Sequence, residues 1–471
     1  MNQNPSYPCG ASDAITPAFG VNYIILDDDT CEICNVGTCK NKIIAIPEQI
    51  ENRPVSTIGK YAFSDCPWIT EVIIPDSVTR IEDSAFYSSK SLKTVRIPHS
   101  VTYIGESAFG FCERLESVYL PDSVTEIAKK AFQFCTGLKS VHLGCVRTIG
   151  DEAFFGCNQL KHIVIPDSVT ELGVSAFENC KELESAVIGN SLKTVPKDAF
   201  GMCENLVRAV IGNAVRTIGR AAFFYCEKLS ELILPDSLQT IEEVAFRHCE
   251  DLKSLHLGKV TSIGFGAFNA CHGLSSVTIP ASVTSIGDWA FSYGAAEILV
   301  SPENLHFMSI DGNLYSGDGK TLLQYAAGKR DASFTVPDHI TKIANSAFLY
   351  CKNLREIILP PSVTEIGQCA FQGCEQLASV EIPDAVKEIA INAFKDCQNL
   401  SRVTVGSAVE RIDIDAFYGC EKLTAMIYNG KKKNFCKIHI LNDLTKQTPL
   451  REVKCKNGTF ALSAIQNGGR S

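Results

Sequence analysis

Apolar and polar positions alternate along most of the chain in one short pattern that recurs many times. Each copy reads approximately Leu-x-x-Val-x-Ile-Pro, then Val-Thr-x-Ile-Gly, then x-x-Ala-Phe-x-x-Cys, as in Leu160 to Cys180. The Val-x-Ile alternation is typical of a short strand, and the proline that follows lacks the N–H that a ladder would need, so the strand is predicted to end there. Val-Thr-x-Ile predicts a second extended piece that ends at glycine, and Ala-Phe-x-x-Cys has the spacing of one or two helical turns.

The dipeptide Ala-Phe marks each copy and fixes the period. Within the repeats it occurs fifteen times, at intervals of 23 residues that shorten twice to 22, with one gap of 57 residues. A unit of this length cannot enclose a core by itself, so each copy is expected to bury its apolar side against the next one. The sequence therefore predicts a solenoid in which the repeated phenylalanine lies between adjacent layers. These phenylalanines are Phe63, Phe86, Phe109, Phe132, Phe154, Phe177, Phe200, Phe223, Phe246, Phe268, Phe291, Phe348, Phe371, Phe394 and Phe417.

The repeat also resembles a known family. Ile-Pro-Asp-Ser-Val-Thr-x-Ile-Gly-x-x-Ala-Phe, nearly verbatim at residues 165–177, is similar to the BspA-like subclass of leucine-rich repeats over about residues 40 to 430. The resemblance implies a leucine-rich repeat solenoid, mainly β with short helical turns, in a curved right-handed array of about fifteen 23-residue repeats plus caps. It also implies a non-enzymatic recognition scaffold of the surface antigen or adhesin type.

Departures from the period predict five segments. Residues 1–48 and 426–471 lie outside the repeats and are expected to cap the two ends, because an exposed terminal layer would present apolar surface and an unpaired strand edge. The repeats occupy residues 49–300 and 338–425. Between them, residues 301–337 alternate around Asp311-Gly312 and Asp318-Gly319, which predicts a β-hairpin insert. Within the C-terminal cap, the run Lys431 to Lys433 is expected to be a solvated turn.

Composition and charge narrow the classes of partner. The chain has 471 residues, with 44 Lys and Arg against 53 Asp and Glu, so its net charge is -9. This balance argues against nonspecific affinity for nucleic acid, which cationic side chains drive by displacing counterions. No apolar run reaches the length of a membrane helix, and the start MNQNPSYPCG lacks the pattern of an export leader. We therefore expect no transmembrane segment, while the family resemblance suggests a cell-surface or secreted protein.

Cysteine usage is repetitive, which indicates a structural role. Thirteen of the 21 cysteines occupy one repeat position: Cys66, Cys112, Cys135, Cys157, Cys180, Cys203, Cys226, Cys249, Cys271, Cys351, Cys374, Cys397 and Cys420. Stacked copies would line them up as small buried apolar groups. Their in-register Cβ vectors point the same way, which suits a disulfide poorly, so free thiols are expected. Such a column favours a reducing or anaerobic setting.

Other candidate chemistry is sparse. Cys31, Cys34 and Cys39, with Cys9 upstream, have metal-like spacing but only one half of a zinc motif, so a metal, a disulfide and plain cap packing all stay open. The chain has no His-Glu-x-x-His or Gly-x-Ser-x-Gly motif and no complete dinucleotide glycine pattern. The sequence predicts neither a catalytic residue nor a metal site, and no cofactor.

The strand that ends at proline offers the best candidate for binding. One outward position, between its Val and Ile, should form a line along a concave sheet. Its apolar middle and aromatic neighbours are predicted to contact a partner, since a polar-rimmed apolar patch is a usual sign of an interface. The alternative is that Val and Ile serve only strand propensity on the pleated surface. The predicted residues are Tyr119, His142, Val164, Val187, Val210, Ile233 and His256.

The predicted partner is a protein or a glycan, bound by a monomer. A second hypothesis is a structural spacer, in which the array sets a distance and the caps or the 301–337 insert make the contacts.

Overall fold

The protein, described as a computed structural model over residues 20–462, divides into two compact units. The first unit ends at Glu250 and the second begins at Asp251. Cys9 therefore lies outside the described residues. The strands of the first unit are β1 (Asn22–Ile25), β2 (Cys31–Asn35), β3 (Ile43–Ala45), β4 (Gln49–Ile50), β5 (Arg53–Ile58), β6 (Glu71–Ile73), β7 (Arg80–Ile81), β8 (Thr94–Arg96), β9 (Tyr103–Ile104), β10 (Ser117–Tyr119), β11 (Glu126–Ile127), β12 (Ser140–His142), β13 (Thr148–Ile149), β14 (His162–Ile165), β15 (Glu171–Leu172), β16 (Ser185–Ile188), β17 (Thr194–Val195), β18 (Arg208–Val210), β19 (Thr217–Ile218), β20 (Glu231–Ile233) and β21 (Thr240–Ile241).

The second unit continues the same alternation of short strands. Its elements are β22 (Ser262–Ile263), β23 (Val277–Ile279), β24 (Ser285–Ile286), β25 (Ile298–Val300), β26 (Phe307–Ile310), β27 (Asn313–Ser316), β28 (Thr321–Gln324), β29 (Ser333–Thr335), β30 (Lys342–Ile343), β31 (Glu356–Ile358), β32 (Glu365–Ile366), β33 (Ser379–Glu381), β34 (Glu388–Ile389), β35 (Arg402–Val405), β36 (Arg411–Ile412), β37 (Ala425–Tyr428), α1 (Lys432–Phe435), β38 (His439–Ile440), α2 (Leu444–Gln447), β39 (Glu452–Cys455) and β40 (Gly458–Ala461).

Each coil of the first unit contributes to two parallel ladders. The Val-x-Ile segments form the first-strand ladder, in the runs β3–β6–β8, β10–β12 and β14–β16–β18–β20. The Thr-x-Ile segments form the second-strand ladder, in the runs β5–β7–β9–β11–β13–β15 and β17–β19–β21. At the N-terminal end, β2 joins β5 in parallel and pairs with β1 antiparallel.

The second unit is built on the same two ladders. Its first-strand ladder has the runs β23–β25 and β29–β31–β33–β35–β37–β39, and β40 closes the latter in antiparallel fashion. Its second-strand ladder has the runs β22–β24, β28–β30–β32 and β34–β36–β38. The chain is a leucine-rich repeat solenoid, as predicted.

The solenoid has about eighteen coils, whereas fifteen repeats were predicted. Strands β25, β37 and β39 extend the first-strand ladder, but none of their coils carries the Ala-Phe dipeptide that defined the count. In the coil of β25, the ring of Tyr325 stacks on Phe348 at 5.3 Å and takes the place of a phenylalanine. The predicted 301–337 insert contains the antiparallel strands β26, β27 and β28. Its boundaries, like those of the other predicted segments, remain an interpretation.

The repeated phenylalanines form the centre of the core. In the first unit, the rings from Phe63 to Phe246 stack coil upon coil, with centroids 5.1 to 5.5 Å apart and planes within 9° of parallel. In the second unit, Phe348 to Phe417 stack in the same way at 5.0 to 5.5 Å. All of these rings are fully buried. Each coil therefore buries its aromatic face only by contact with its neighbours.

The Ala-Phe-x-x-Cys segment consists of tight turns, and the predicted short helical turns do not form. In the coil of Phe177, Ser175 and Asn179 have positive φ angles of 56° and 60°, which interrupt any helix. The N–H of Phe177 donates to the carbonyl of Ala199 in the next coil at 2.9 Å instead of bonding within its own segment. The backbone of this side is thus also bonded between coils, which the residue spacing alone does not reveal.

The cysteine column adds a further line of bonds between coils. The thiol of Cys112 donates to the carbonyl of Phe86 in the coil before it, at 3.2 Å. Equivalent bonds at 3.1 to 3.3 Å join Cys135, Cys157, Cys180, Cys203 and Cys226 to Phe109, Phe132, Phe154, Phe177 and Phe200. These cysteines are buried free thiols, as expected. Each one fills a small space in the core and donates to a carbonyl of the neighbouring coil; the carbonyls of Phe86, Phe109 and Phe132 also accept a backbone N–H.

Ser89 occupies the cysteine position of its coil and tests this role. Its hydroxyl is fully buried and donates to the carbonyl of Phe63 at 2.6 Å. We expect Ser89→Ala to lower the free energy of unfolding by about 1 to 2 kcal/mol, because a buried carbonyl loses a partner. Ser89→Cys should recover most of this loss. Urea unfolding of the two variants measures the effect, and equal stability of Ser89→Ala and the wild type would contradict it.

Candidate functional site

Four in-register strands of the first unit present an exposed apolar line. Val164, Val187, Val210 and Ile233 are direct neighbours across β14, β16, β18 and β20, and we call these four residues the apolar stripe. Side chains alternate between the two faces of a strand, so the flanking Ile163 and Ile165 point into the core and are 1% exposed. Val164 is 62% and Ile233 48% exposed. The outer strands lie about 14 Å apart at ordinary strand spacing.

Both edges of the apolar stripe are polar and internally bonded. On one edge, Lys161 pairs with Glu184 at 2.8 Å, three residues before Val164 and Val187 respectively. The carboxylate raises the pKa of the lysine, and the lysine lowers the pKa of the carboxyl group, through their hydrogen bond.

On the other edge, the carboxylate of Asp167 accepts from the backbone N–H of Asn190 at 2.7 Å, and the side-chain oxygen of Asn190 accepts from the N–H of Asn213 at 3.0 Å. These rim groups thus have partners within the protein, and the apolar stripe lies between them.

Tyr119 and His142 form an aromatic pair on the same ladder. They are opposite each other on β10 and β12, and their rings stack at 4.5 Å with planes 10° apart. Tyr119 is 60% exposed and His142 is also exposed. The first unit therefore contains six of the seven predicted site residues on the outward side of its first-strand ladder.

The seventh predicted residue, His256, belongs to the second unit. It is exposed, but the segment around it forms no strand. Its coil shares a feature with that of His142: both have 22 residues, and both turn at a glycine with positive φ, Gly144 at 51° and Gly258 at 50°. The shortened turn replaces Pro-Asp-Ser, and at both places the first-strand ladder is interrupted.

A second, half-buried aromatic group lies on the Ala-Phe side of the first unit, and the sequence analysis missed it. Tyr87, Phe111, Phe134 and Phe155 are half-buried, and successive rings lie 4.8 to 5.4 Å apart. They occupy the two variable positions between the repeated phenylalanine and cysteine. Aromatic residues at those positions were the available signal, but the helical interpretation of this segment did not predict that consecutive coils would bring them together.

The cysteines of the buried column offer little reactivity. Burial raises the pKa of Cys135 and of Cys180 to about 12, so both remain protonated thiols at neutral pH. Cys31 and Cys34 lie on opposite faces of β2, and their thiols contact the carbonyls of Ile50 and Glu32. Within residues 20–462, no three His, Cys, Asp or Glu side chains converge as metal ligands would. The apolar stripe is suited to binding a partner through contacts of its Val and Ile side chains.

The helices of the described chain are short. Neither α1 nor α2, at four residues each, approaches the length needed to cross a bilayer, and no other helix in residues 20–462 does so.

Comparisons with known proteins match these observations. The model of the BspA type leucine rich repeat region, with six copies, matches residues 56–184, 138–253, 172–297 and 328–440. A leucine-rich repeat protein from Bacteroides ovatus is similar in structure, with a TM-score of 0.59 and 23% identity, over 93% of this chain and all of that one. A leucine rich cell surface protein from Faecalibacterium prausnitzii aligns with 25% identity and a TM-score of 0.39, over 93% of this chain and 98% of that one. A search of curated protein sequences gives no match.

Proposed function

The chain belongs to the BspA-type leucine-rich repeat family, and from this premise we propose that it is a non-enzymatic recognition scaffold that binds a partner along the apolar stripe. The observation that carries the proposal is a row of four β-branched side chains between two polar rims, in which Val164, Val187 and Ile233 are exposed and Val210 is half-buried. Desolvation of such a row favours association, and Lys161, Glu184 and Asp167 on the rims already have partners within the protein.

Strand propensity alone does not account for the stripe. The equivalent outward position is exposed in other coils as well, where it holds Arg96, Glu381 or Lys454. The fold therefore accepts long charged side chains at this position, and Val or Ile is not required for the ladder to form. Apolar residues also occur at this position elsewhere, as at Leu299 and Ile358, but among the described coils only those from Val164 to Ile233 carry four in succession.

A protein is the favoured partner class of the two predicted, protein and glycan. An apolar floor of Val and Ile offers no polar groups to hydroxyls, whereas apolar side chains of a protein would be buried against it. Tyr119 and His142 extend the proposed surface with a stacked pair whose outer faces stay accessible. The proposed location is the cell surface or the exterior of the cell, in a reducing or anaerobic habitat. The proposed oligomeric state is a monomer.

The decisive experiment changes the centre of the stripe. Val187→Asp combined with Val210→Asp should weaken binding of a partner isolated with the wild type by at least about 100-fold, since charges would be desolvated at the centre of the interface. Arg96→Asp, at the same repeat position outside the stripe, is the matched control and should bind normally. Surface plasmon resonance measures both, and thermal unfolding confirms that the variants fold.

Two results would reject this function. The first is a stripe variant that melts like the wild type and retains the partner with unchanged affinity. The second is loss of the partner on deleting residues 301–337 while the stripe variant still binds, which would favour the structural spacer.

A further inference from the structure

The C-terminal coils reverse the charge of the chain. Residues 431–456 contain eight Lys and Arg against two Asp and Glu, in a chain whose net charge is -9. A run of lysines in sequence is ordinarily a solvated turn. The structure adds to this run by bringing further lysines from a second segment beside it.

Two hydrogen bonds, one between backbone groups and one to a side chain, bring these segments together. The N–H of Lys456 donates to the carbonyl of Gly430 at 3.0 Å, and the side-chain oxygen of Asn457 accepts from the N–H of Lys432 at 2.7 Å. The pKa of the Cys455 thiol is raised chiefly by burial, and the Lys432 ammonium opposes this shift, so that charge lies within electrostatic range of β39. We call the resulting group the lysine cluster: Lys431, Lys432, Lys433, Lys437, Lys454 and Lys456, all exposed.

The lysine cluster lacks the counter-charges that lysines have elsewhere in this protein. In the repeats, lysines pair with glutamates of the adjacent coil, as in Lys139–Glu116 at 3.0 Å, Lys161–Glu184 at 2.8 Å and Lys181–Glu204 at 3.0 Å. Within residues 20–462, no carboxylate forms an ion pair with any member of the cluster. Asp384 feels the charge of Lys456, which contributes to lowering its pKa after hydrogen bonds from Ser407 and Asn429.

The other two cations of this stretch are already engaged. The guanidinium of Arg451 donates to the carbonyls of Thr448 and Leu450, at 3.2 and 2.8 Å. Lys446 pairs with Asp443 at 3.9 Å. The uncompensated charge is therefore carried by lysines alone, which act as mobile point charges and lack the planar fork that recognises one phosphate or one base.

The surroundings of the lysine cluster lack the side chains that two common modes of polyanion binding use. Binding of single-stranded nucleic acid uses exposed aromatic platforms, and anchoring in a lipid surface uses exposed apolar side chains. The aromatic rings of this region, Tyr428, Phe435 and Phe460, are buried. Between residues 419 and 462, no large apolar side chain is exposed.

We propose that the lysine cluster is a binding site for an anionic polysaccharide, whose carboxylate or sulfate groups lie along a hydrophilic chain. Such a polymer supplies many negative charges without requiring stacking or apolar insertion. The mutual repulsion of six ammonium groups is relieved when it binds, and released counterions add a favourable entropy. This site is separate from the apolar stripe in residues and in chemistry.

Fluorescent carboxymethyl-dextran and dextran sulfate, with neutral dextran of equal length, are the probes. The full chain should bind both charged polymers and not the neutral one in 20 mM salt, as measured by anisotropy. Lys431→Gln, Lys432→Gln and Lys433→Gln combined should weaken binding at least about tenfold and reduce the slope of log affinity against log salt by about 2 to 3. Lys90→Gln, Lys139→Gln and Lys181→Gln combined, each at a lysine paired with a glutamate of the adjacent coil, form the matched control and should change affinity less than about twofold.

Each alternative result has a stated meaning. Unchanged affinity of the cluster variant, or an equal loss in the control, overturns the proposal. Tighter binding to a 20-base-pair DNA duplex, or to vesicles with 30% phosphatidylserine, than to either charged dextran overturns the polysaccharide assignment. Normal binding of the charged dextrans by the Val187→Asp and Val210→Asp variant supports two independent sites, so failure of one proposal does not decide the other.

Discussion

Replacing Phe177 with alanine is expected to lower the free energy of unfolding by about 3 to 5 kcal/mol. The Phe177 ring is fully buried, 5.2 Å from Phe154 and 5.5 Å from Phe200, so its removal opens a cavity between two coil interfaces. In a solenoid, stability is approximately a sum over such interfaces, and both interfaces weaken together. Denaturant unfolding followed by circular dichroism measures the loss.

Phe134→Ala is the matched control for this substitution. Its ring is half-buried outside the main stack, so a clearly smaller loss is expected. A Phe177→Ala protein within 1 kcal/mol of the wild type, or one less affected than Phe134→Ala, would show that the aromatic stack does not determine stability.

Alkaline pH should destabilise the protein strongly, through its buried thiols. In the fold, burial raises the pKa of Cys135 and Cys180 from the ordinary 9.0 to about 12, so the folded state retains protons that the unfolded chain releases. Their contribution is fully present below pH 9 and is lost as pH rises towards 12. Each such thiol costs about 1.4 kcal/mol per pH unit in this window, and the effect accumulates along the column.

A double variant separates this effect from the titration of lysine and tyrosine. Cys135→Ser with Cys180→Ser removes two thiols that ionise, and Ser89 shows that a hydroxyl fits the position. The difference in stability between wild type and variant should therefore shrink or reverse from pH 8.5 to 10.5, in reducing buffer. Parallel curves of stability against pH for the two proteins would contradict the assignment.

The sequence predicts much of this fold because the contacts repeat with the residues. Once the Ala-Phe period is recognised, the ladders and the buried stack follow, since every coil meets an almost identical neighbour. The prediction is incomplete where the backbone continues the ladder without the signature, as at β25, where Tyr325 replaces the phenylalanine. It is wrong about the helical turns because positive φ at Ser175 and Asn179 is a property of backbone packing that residue spacing does not encode.

The two candidate surfaces also differ in how far the sequence predicts them. The apolar stripe is readable from the sequence because strand alternation assigns one outward residue to each coil. The lysine cluster is not, because Lys456 joins the run at Lys431 only through a bond between two loops. The 22-residue spacing indicates an altered turn in the two short coils, but the absence of a strand around His256 depends on contacts between coils that the spacing does not encode.

The thiol bonds between coils have one more consequence. Each buried sulfur lies between two coils and is bonded to the one that precedes it, so an alkylating reagent reaches a given cysteine only after the coils around it have parted. The rates at which the native cysteines of the column are labelled therefore report, residue by residue, how often each junction between coils opens.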